Sequence, residues 1–163
     1  MNKPKLENRP AQPYVGIRAR VMMKELGAVL PPLHNQLMDW MESKGIEPVG
    51  APFFRYLVID MEKGFDMEVG VPVADVVETQ GNIRSGVLPA GCYATLLHTG
   101  HFSGLREATQ SLLDWAYNNG VEWQVGISGG SEAWEARLEI YRNVGLEKNP
   151  EKWETELAFL TAD

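Results

Sequence analysis

The chain has 163 residues, of which 44% are hydrophobic and 23% charged, and this composition excludes an intrinsically disordered protein. Lys and Arg total 15 against 22 Asp and Glu, so the formal net charge of −7 argues against non-specific binding to nucleic acid. The sequence has no apolar run long enough for a membrane span, no apolar core of a secretory signal and one cysteine, Cys92, features that predict a cytoplasmic domain without disulfides.

The first half of the chain predicts a strand, a helix and two further strands. Residues 1–12 are charged and are expected to be a flexible N-terminus. Apolar residues then alternate with polar ones over residues 14–21, as in a strand. An apolar stripe at helical spacing follows, with Pro31 and Pro32 expected in its first turn and Gly45 as its stop. Two predicted strands complete this half, at residues 53–60 and 66–73.

A sequence repeat predicts the same order in the second half. Residues 37–47 return as residues 112–122, with identical Leu, Asp, Trp, Gly and Glu at five matching positions. The second helix is therefore expected to begin after Ser103 as its N-cap and to end at Gly120. Its flanking strands are predicted around residues 93–96, at 136–143 and at 155–160, with a turn at residues 145–150.

These elements predict an α+β fold made by pseudo-symmetric duplication of a strand-helix-strand-strand module. Short strands joined by turns favour a mostly antiparallel sheet. The two helices are expected to cover one face, with a ligand cleft on the other. We divide the single domain into half one at about 13–73, a linker at 74–86 and half two at 87–160.

Strand alternation places an unusual set of aromatic and acidic side chains opposite the predicted helix-facing residues. A carboxylate among aromatic rings is typical of a receptor for a flat organic cation, because the rings add cation–π attraction to the ionic one. The same pattern also fits a solvated sheet face with amphipathic tyrosines and solubilising glutamates. The set consists of Tyr14, Phe54, Tyr56, Glu68, Tyr93, Glu139, Tyr141 and Glu156.

Several segments resemble the GyrI-like family, also called AraC-type or bacterial transcription activator effector-binding domains. The resemblance includes residues 9–18 at the first strand and residues 98–107, running on to Leu113-Asp114-Trp115 and Asn119-Gly120. Residues 138–141 and 154–157 resemble the closing strand pair, so the similarity covers roughly residues 8–160. No segment resembling a helix-turn-helix precedes the domain, and we expect a stand-alone member that does not bind DNA directly.

The resemblance implies a ligand cleft between the two halves that binds lipophilic, cationic drug-like compounds. By motif match the acidic counter-charge falls on Glu139, with Tyr141 beside it, while Glu156 is a second candidate. Aromatic pocket walls are also implied, which suits the tyrosines and Phe54. No cofactor, membrane partner or metal is implied, and His98, His101 and Cys92 lack a fourth metal ligand.

The sequence departs from the family pattern in two places. His101-Phe102 stands where the family usually has Pro-Tyr, at the entrance of the second helix. Residues 124–136 form a longer, Gly-rich connection that contains Trp134, which predicts either a lid over the cleft or a surface loop.

Two alternative functions stay open beside ligand sequestration, which we favour. One is hydrolysis of strained electrophiles such as cyclopropanes, in which Glu139 would activate water and Tyr141 or Tyr56 would donate a proton. The other is modulation of DNA gyrase through an acidic surface, which would persist without the Glu139 carboxylate and weaken with salt.

Overall fold

The computed structural model describes residues 2–144 and 146–162. Ten strands form one curled antiparallel sheet, and two helices pack against it. The strands are β1 (Lys5–Arg9), β2 (Gln12–Val21), β3 (Phe53–Asp60), β4 (Gly64–Pro72), β5 (Ile83–Leu88), β6 (Gly91–Thr99), β7 (Val125–Ser128), β8 (Ser131–Trp134), β9 (Arg137–Tyr141) and β10 (Glu154–Leu160). The helices are α1 (Leu26–Lys44) and α2 (Leu105–Asn118). No helix in these ranges is both long and apolar enough to cross a membrane.

The two halves of the chain join along the middle of the sheet. The strand order is β1-β6-β10-β9-β3-β4-β2-β5, so β3 of half one pairs with β9 of half two. In addition, β8 pairs with the far end of β3, and β7 pairs with β8. The predicted α+β class, with a mostly antiparallel sheet and two helices, is confirmed.

The helices cover the two flanks of one sheet face. Helix α1 packs on β2 and β4 through Leu30, Leu37 and Met41, which are buried. Helix α2 packs on β6 through Leu112, the repeat counterpart of Leu37. Because Leu157 of β10 also packs with α2, the helices leave between them a strip made of β9 and β3.

The opposite sheet face also carries a core. Tyr14, Phe53, Leu88 and Tyr93 belong to one buried cluster, although β5 and β6 are not paired with each other. The sheet must therefore curl so that this face closes on itself. On this face the Tyr14 ring covers Gly86, its neighbour across the β2–β5 pair, where a Cβ would lie 2.7 Å from the ring. Both faces of the sheet are thus largely buried.

Two segment assignments differ from the structure. The predicted flexible N-terminus contains β1, which pairs with β6 from Lys5 opposite Thr95 to Arg9 opposite Gly91. The side chains of β1 are mostly polar, so alternating hydrophobicity does not indicate a strand there. β1 forms because its backbone groups pair with those at the edge of β6. The predicted linker contains the beginning of β5, which pairs with β2.

The helix starts also differ from the prediction. Helix α1 begins at Leu26, so Pro31 and Pro32 lie inside it rather than in its first turn. The earlier start extends the apolar stripe, since Leu26 packs against the α1 side of the sheet. Before α2, the His101 side chain accepts a hydrogen bond from the Ser103 backbone N–H. His101, and not Ser103, is therefore the N-cap at the start of this helical segment. In the predicted turn at 145–150, Gly145 lies outside the described residues.

Candidate functional site

Glu139 lies on the strip of strands between the two helices. Across the sheet it is opposite Phe54 on β3 and Leu157 on β10. Leu157 packs in one cluster with Leu112 of α2, so this register places Glu139 on the helix-bearing face. The prediction that Glu139, Tyr141, Tyr56 and Phe54 face away from the helices is therefore wrong.

The reason for the difference lies in the curl of the sheet. The prediction assigned aliphatic residues to the helix face in every strand, which holds for β2 but not for the middle strands. Because the other face is closed into its own core, the aliphatic Leu138 and Ile140 of β9 point there. The acidic and aromatic residues that alternate with them remain for the strip between the helices.

Two tyrosines surround the Glu139 carboxylate. The Tyr141 hydroxyl donates a hydrogen bond of 2.7 Å to Glu139 Oε1, and the Tyr56 phenol is close enough to the carboxylate to lower its pKa. Burial raises the pKa of Glu139, although both phenols and the nearby Arg137 act in the opposite direction. Burial and the Glu139 charge hold the pKa values of Tyr56 and Tyr141 well above their ordinary value, so both phenols remain protonated donors.

A chain of aromatic contacts connects this carboxylate site to the start of α2. The Tyr141 ring lies 4.7 Å from Phe54 and 5.7 Å from Phe102, both edge-on. Phe102 in turn lies 4.7 Å from Trp153, which stacks on His101 at 5.8 Å. The His101-Phe102 departure from the family pattern thus forms part of an aromatic rim beside the site.

Arg137 is a site residue that the sequence reasoning missed. It precedes Glu139 by two positions on β9 and so shares its face. Its guanidinium lies 4.7 Å from the ring centres of Trp134 and Phe159, and 5.8 Å from that of Tyr56. Burial lowers the pKa of Arg137. The alternation of β9 could have indicated this residue, since it places Arg137, Glu139 and Tyr141 on one face.

Tyr93 and Glu156 lie on the opposite face, away from Glu139. They line a cavity of about 300 Å³ together with Arg9 and the apolar side chains Phe53 and Ile140. Glu156 pairs with Arg9 at 2.8 Å, and the Arg9 guanidinium lies 5.8 Å from the Tyr93 ring centre. The second candidate carboxylate is therefore already neutralised by an arginine of the chain.

Tyr14 also lies on the opposite face, in a closed polar cluster. Its hydroxyl donates to Glu68 Oε1 at 2.6 Å and accepts from Arg55 at 2.8 Å, and Arg55 lies 3.5 Å from the same carboxylate oxygen. Burial and the Glu68 carboxylate raise the pKa of Tyr14. Because Tyr14 is only 3% exposed, it cannot serve as a wall of the Glu139 site.

The Gly-rich connection forms the hairpin β7–β8, and Trp134 ends it. Ala133 pairs with Val58, which makes the hairpin an extension of the sheet, and Ser131 donates to Asp60 Oδ2 at 2.7 Å. Trp134 is buried beside Phe159, and the side chain of Arg137 lies over its ring.

The charges around Glu68, Glu139 and Glu156 differ. Glu68 and Glu156 each have an arginine nitrogen within 4.0 Å. In residues 2–144 and 146–162, no Lys or Arg nitrogen lies within that distance of Glu139. Nor do these residues contain a group of three His, Cys, Asp or Glu side chains able to hold a metal ion. The Glu139 site can thus act as a counter-charge for a ligand or as a general base.

Comparison with known proteins identifies the fold. The sequence profile of the GyrI-like small molecule binding domain matches residues 2–160. The C-terminal domain of EcmrR is 22% identical with a TM-score of 0.79, and the match covers 100% of this chain and 99% of that domain. Against the EcmrR chain in its DNA complex the identity is 23%, the TM-score is 0.78 and the coverage is 99% of this chain but 58% of EcmrR. The chain therefore spans little more than half of that protein.

Two more distant structures share the fold. A hydrolase from Listeria innocua is 14% identical, with a TM-score of 0.66 and coverage of 98% of this chain and 92% of the hydrolase. SAV2435, solved with bound tetraphenylphosphonium, is 9% identical, with a TM-score of 0.61 and coverage of 98% and 94%. No curated protein is similar enough in sequence to count as a relative. Because the family profile spans nearly the whole chain, the chain belongs to the GyrI-like small molecule binding domains.

Proposed function

We propose that the chain binds lipophilic organic cations in the cleft between α1 and α2. Glu139 supplies the counter-charge on the floor of this cleft, and the rings of Phe54, Tyr56 and Tyr141 form its aromatic surface. Such a receptor would sequester cationic drug-like compounds.

The observation that carries this proposal is the difference in the partners of Glu68, Glu139 and Glu156. Glu68 and Glu156 are paired with Arg55 and Arg9, whereas Glu139 has, among the residues that the structure describes, the Tyr141 hydroxyl as its hydrogen-bond partner. A carboxylate without a direct cationic partner gains most from a ligand cation, because burial strengthens the ionic attraction. Glu139 is therefore the preferred counter-charge over Glu156.

The surroundings of Glu139 favour an apolar cation over a compact one. Aromatic rings contribute about 0.5–2 kcal/mol per cation–π contact, in addition to the burial of apolar ligand surface. The aromatic rim at Phe102 and Trp153 extends this surface outward. Tetraphenylphosphonium, the ligand in the SAV2435 structure, has this chemistry and is a suitable probe.

The proposal is tested by calorimetric titration of the wild type, Glu139→Gln and Glu156→Gln with tetraphenylphosphonium and the neutral triphenylphosphine oxide. We expect the wild type to bind the cation with a micromolar dissociation constant, about −8 kcal/mol. Glu139→Gln should raise the dissociation constant of the cation by about tenfold or more, since the ionic attraction is removed. The dissociation constant of the neutral compound should change by less than about twofold.

Glu156→Gln is the matched control, because it removes a carboxylate on the opposite sheet face. It should bind the cation like the wild type. If Glu156→Gln loses affinity and Glu139→Gln does not, the ligand occupies the cavity beside Arg9 instead of the cleft. If the wild type does not bind the cation, the proposed function is wrong.

Hydrolysis of strained electrophiles is a second candidate, favoured by the raised pKa of Glu139 and its bond to Tyr141. Glu139 would take a proton from water as the water oxygen bonds to a ring carbon. The electron pair of the broken ring bond would move to a substrate carbonyl, which Tyr56 protonates. Mass spectrometry of each compound after incubation separates the candidates, because hydrolysis adds the mass of one water and binding adds nothing.

A further inference from the structure

Arg137 holds a positive charge inside the proposed ligand cleft. Its guanidinium is surrounded by the rings of Trp134, Phe159 and Tyr56 at 4.7, 4.7 and 5.8 Å. Three rings around one guanidinium form an aromatic cage that favours the cation and limits its movement. The chain therefore carries a cation of its own beside Glu139.

This arginine differs from others on the sheet. Arg9, Arg18 and Arg55 each lie within 4.0 Å of a carboxylate. In the part of the chain that the structure describes, no carboxylate lies within that distance of the Arg137 nitrogens. The cage of rings thus holds Arg137 near Glu139 without a direct ion pair.

We propose that Arg137 is a specificity-determining residue of the cleft, whose caged charge counterbalances Glu139 and discriminates against ligands that carry more than one positive charge. This inference rests on the proposed binding of cations. Glu139 and Arg137 give the cleft one negative and one positive charge. A bound monocation gives the cleft a net charge of plus one. A dication gives it plus two, and Arg137 repels both charges of the dication.

The electrostatics of the neighbouring groups agree with this assignment. Arg137 lowers the pKa of Glu139, and Glu139 raises that of Arg137, so each charge stabilises the other. The other groups that act on this pair are Tyr56 from β3, Tyr141 from β9 and Glu132 from β8. Both tyrosines stay neutral in the alkaline range used below because their pKa values are raised.

The test uses three ligands of one framework that differ in charge. They are neutral 4-phenylpyridine, the monocation N-methyl-4-phenylpyridinium and the dication methyl viologen. Calorimetry at about pH 8.5, about four units above the ordinary carboxyl pKa, compares the wild type with Arg137→Met and Arg137→Lys. The methionine keeps the unbranched stem and removes the charge, whereas the lysine keeps the charge.

We expect Arg137→Met to increase the affinity for the monocation by about tenfold and for the dication by about a hundredfold. The substitution removes one repulsion for the monocation and two for the dication. The affinity for the neutral ligand should change by less than about twofold. Arg137→Lys should keep the wild-type order of affinities for the three ligands. Equal tightening of all three ligands would indicate that Met only enlarges the cleft, and would overturn the inference.

A carbon-13 NMR titration of the Glu139 carboxyl group needs no ligand. Arg137→Met should raise the pKa of Glu139 by about one unit, and Arg137→Lys should leave it near the wild-type value. An unchanged pKa in Arg137→Met overturns the role of Arg137, even if cations bind. A raised pKa in a protein that binds none of the cations instead overturns the proposed function, so the two failures are distinguishable.

Discussion

Three glutamates on the sheet lie near aromatic rings and arginines, but their geometry differs. Glu68 and Glu156 have a direct arginine partner, whereas Glu139 accepts a hydrogen bond from the Tyr141 hydroxyl and has a caged arginine beside it. Burial raises the pKa of Glu139, so its ionised form is less stable in the folded chain than in the unfolded one. The ionised Glu139 carboxylate, which is suited to bind a ligand cation, therefore destabilises the folded protein when no ligand is bound.

Glu139→Gln should stabilise the unliganded protein at about pH 8, raising Tm by about 2–4 °C. Because the pKa is raised on folding, the ionised carboxylate lowers stability above its folded pKa, and this penalty disappears as pH falls toward the ordinary carboxyl value. The gain should thus vanish near about pH 4, where wild-type Glu139 is protonated. Thermal melts across this range check the prediction.

Glu156→Gln serves as the control in those melts. Its carboxylate is paired with Arg9, so its removal should not stabilise the protein at the higher pH. A stabilisation by Glu139→Gln that is independent of pH would contradict the electrostatic explanation.

At the scale of elements, β9 shows what sequence periodicity can and cannot predict. Alternation correctly separated Glu139 and Tyr141 from Leu138 and Ile140. It could not state which set faces the helices, because both sets are covered in a curled sheet. That choice depends on the strand order, which places β9 in the strip between the helices.

Other elements were predictable to different degrees. The bounds of β3 agree with the prediction, since a dense apolar run and clear turn residues define it. The strand β1 could not be found from hydrophobicity, because its side chains are mostly polar and its pairing with β6 is made by backbone groups. The arginine partners Arg9 and Arg55 were also missed, because their ion pairs with Glu156 and Glu68 depend on the spatial arrangement of the strands.

The β3–β4 pair provides a prediction about packing. The Phe53 ring crosses Gly70, where a Cβ would lie 2.5 Å from the ring, and Tyr14 packs against the same ring at 5.3 Å. Gly70→Ala should therefore destabilise the protein by about 1–3 kcal/mol, as overpacked cores do. Urea denaturation measures this change, and Phe53→Leu should partly rescue the alanine variant because a smaller side chain leaves room for the Cβ.

The rescue distinguishes overpacking from other effects of the alanine. If the double variant is destabilised by the sum of the two single changes, Phe53 and Gly70 do not interact, and the contact is not the cause.

At the scale of the whole molecule, the two halves are not separate units. β1 pairs with β6 in half two, and β3 pairs with β9 across the middle of the sheet. Residues from both halves share the core cluster around Phe53 and Tyr93. The repeat in sequence thus does not produce two independently stable modules.

We therefore expect the chain to unfold in a single cooperative transition. Labelling with 5-fluorotryptophan places one fluorine probe on each of the five tryptophans. Trp40 reports on half one and Trp115 on half two, because they lie on α1 and α2 and pack against the core clusters under these helices. Their native fluorine NMR signals should disappear at the same urea concentration. An earlier loss of the Trp40 signal would show that half one unfolds by itself.

The position of β6 between β1 and β10 has a consequence for the path of the chain. Lys5 lies opposite Thr95 on one side of β6, and Leu160 lies opposite Tyr93 on the other. Because β1 and β10 are both antiparallel to β6, they run parallel to each other, and joining the end of β10 to the start of β1 requires a crossover past β6 of about a dozen residues or more. Circular permutation, with new ends opened in the exposed segment around residues 74–76, therefore needs a long connecting segment, and a short linker should prevent folding. A chain permuted with the long segment would keep Glu139, Arg137 and both helices in place.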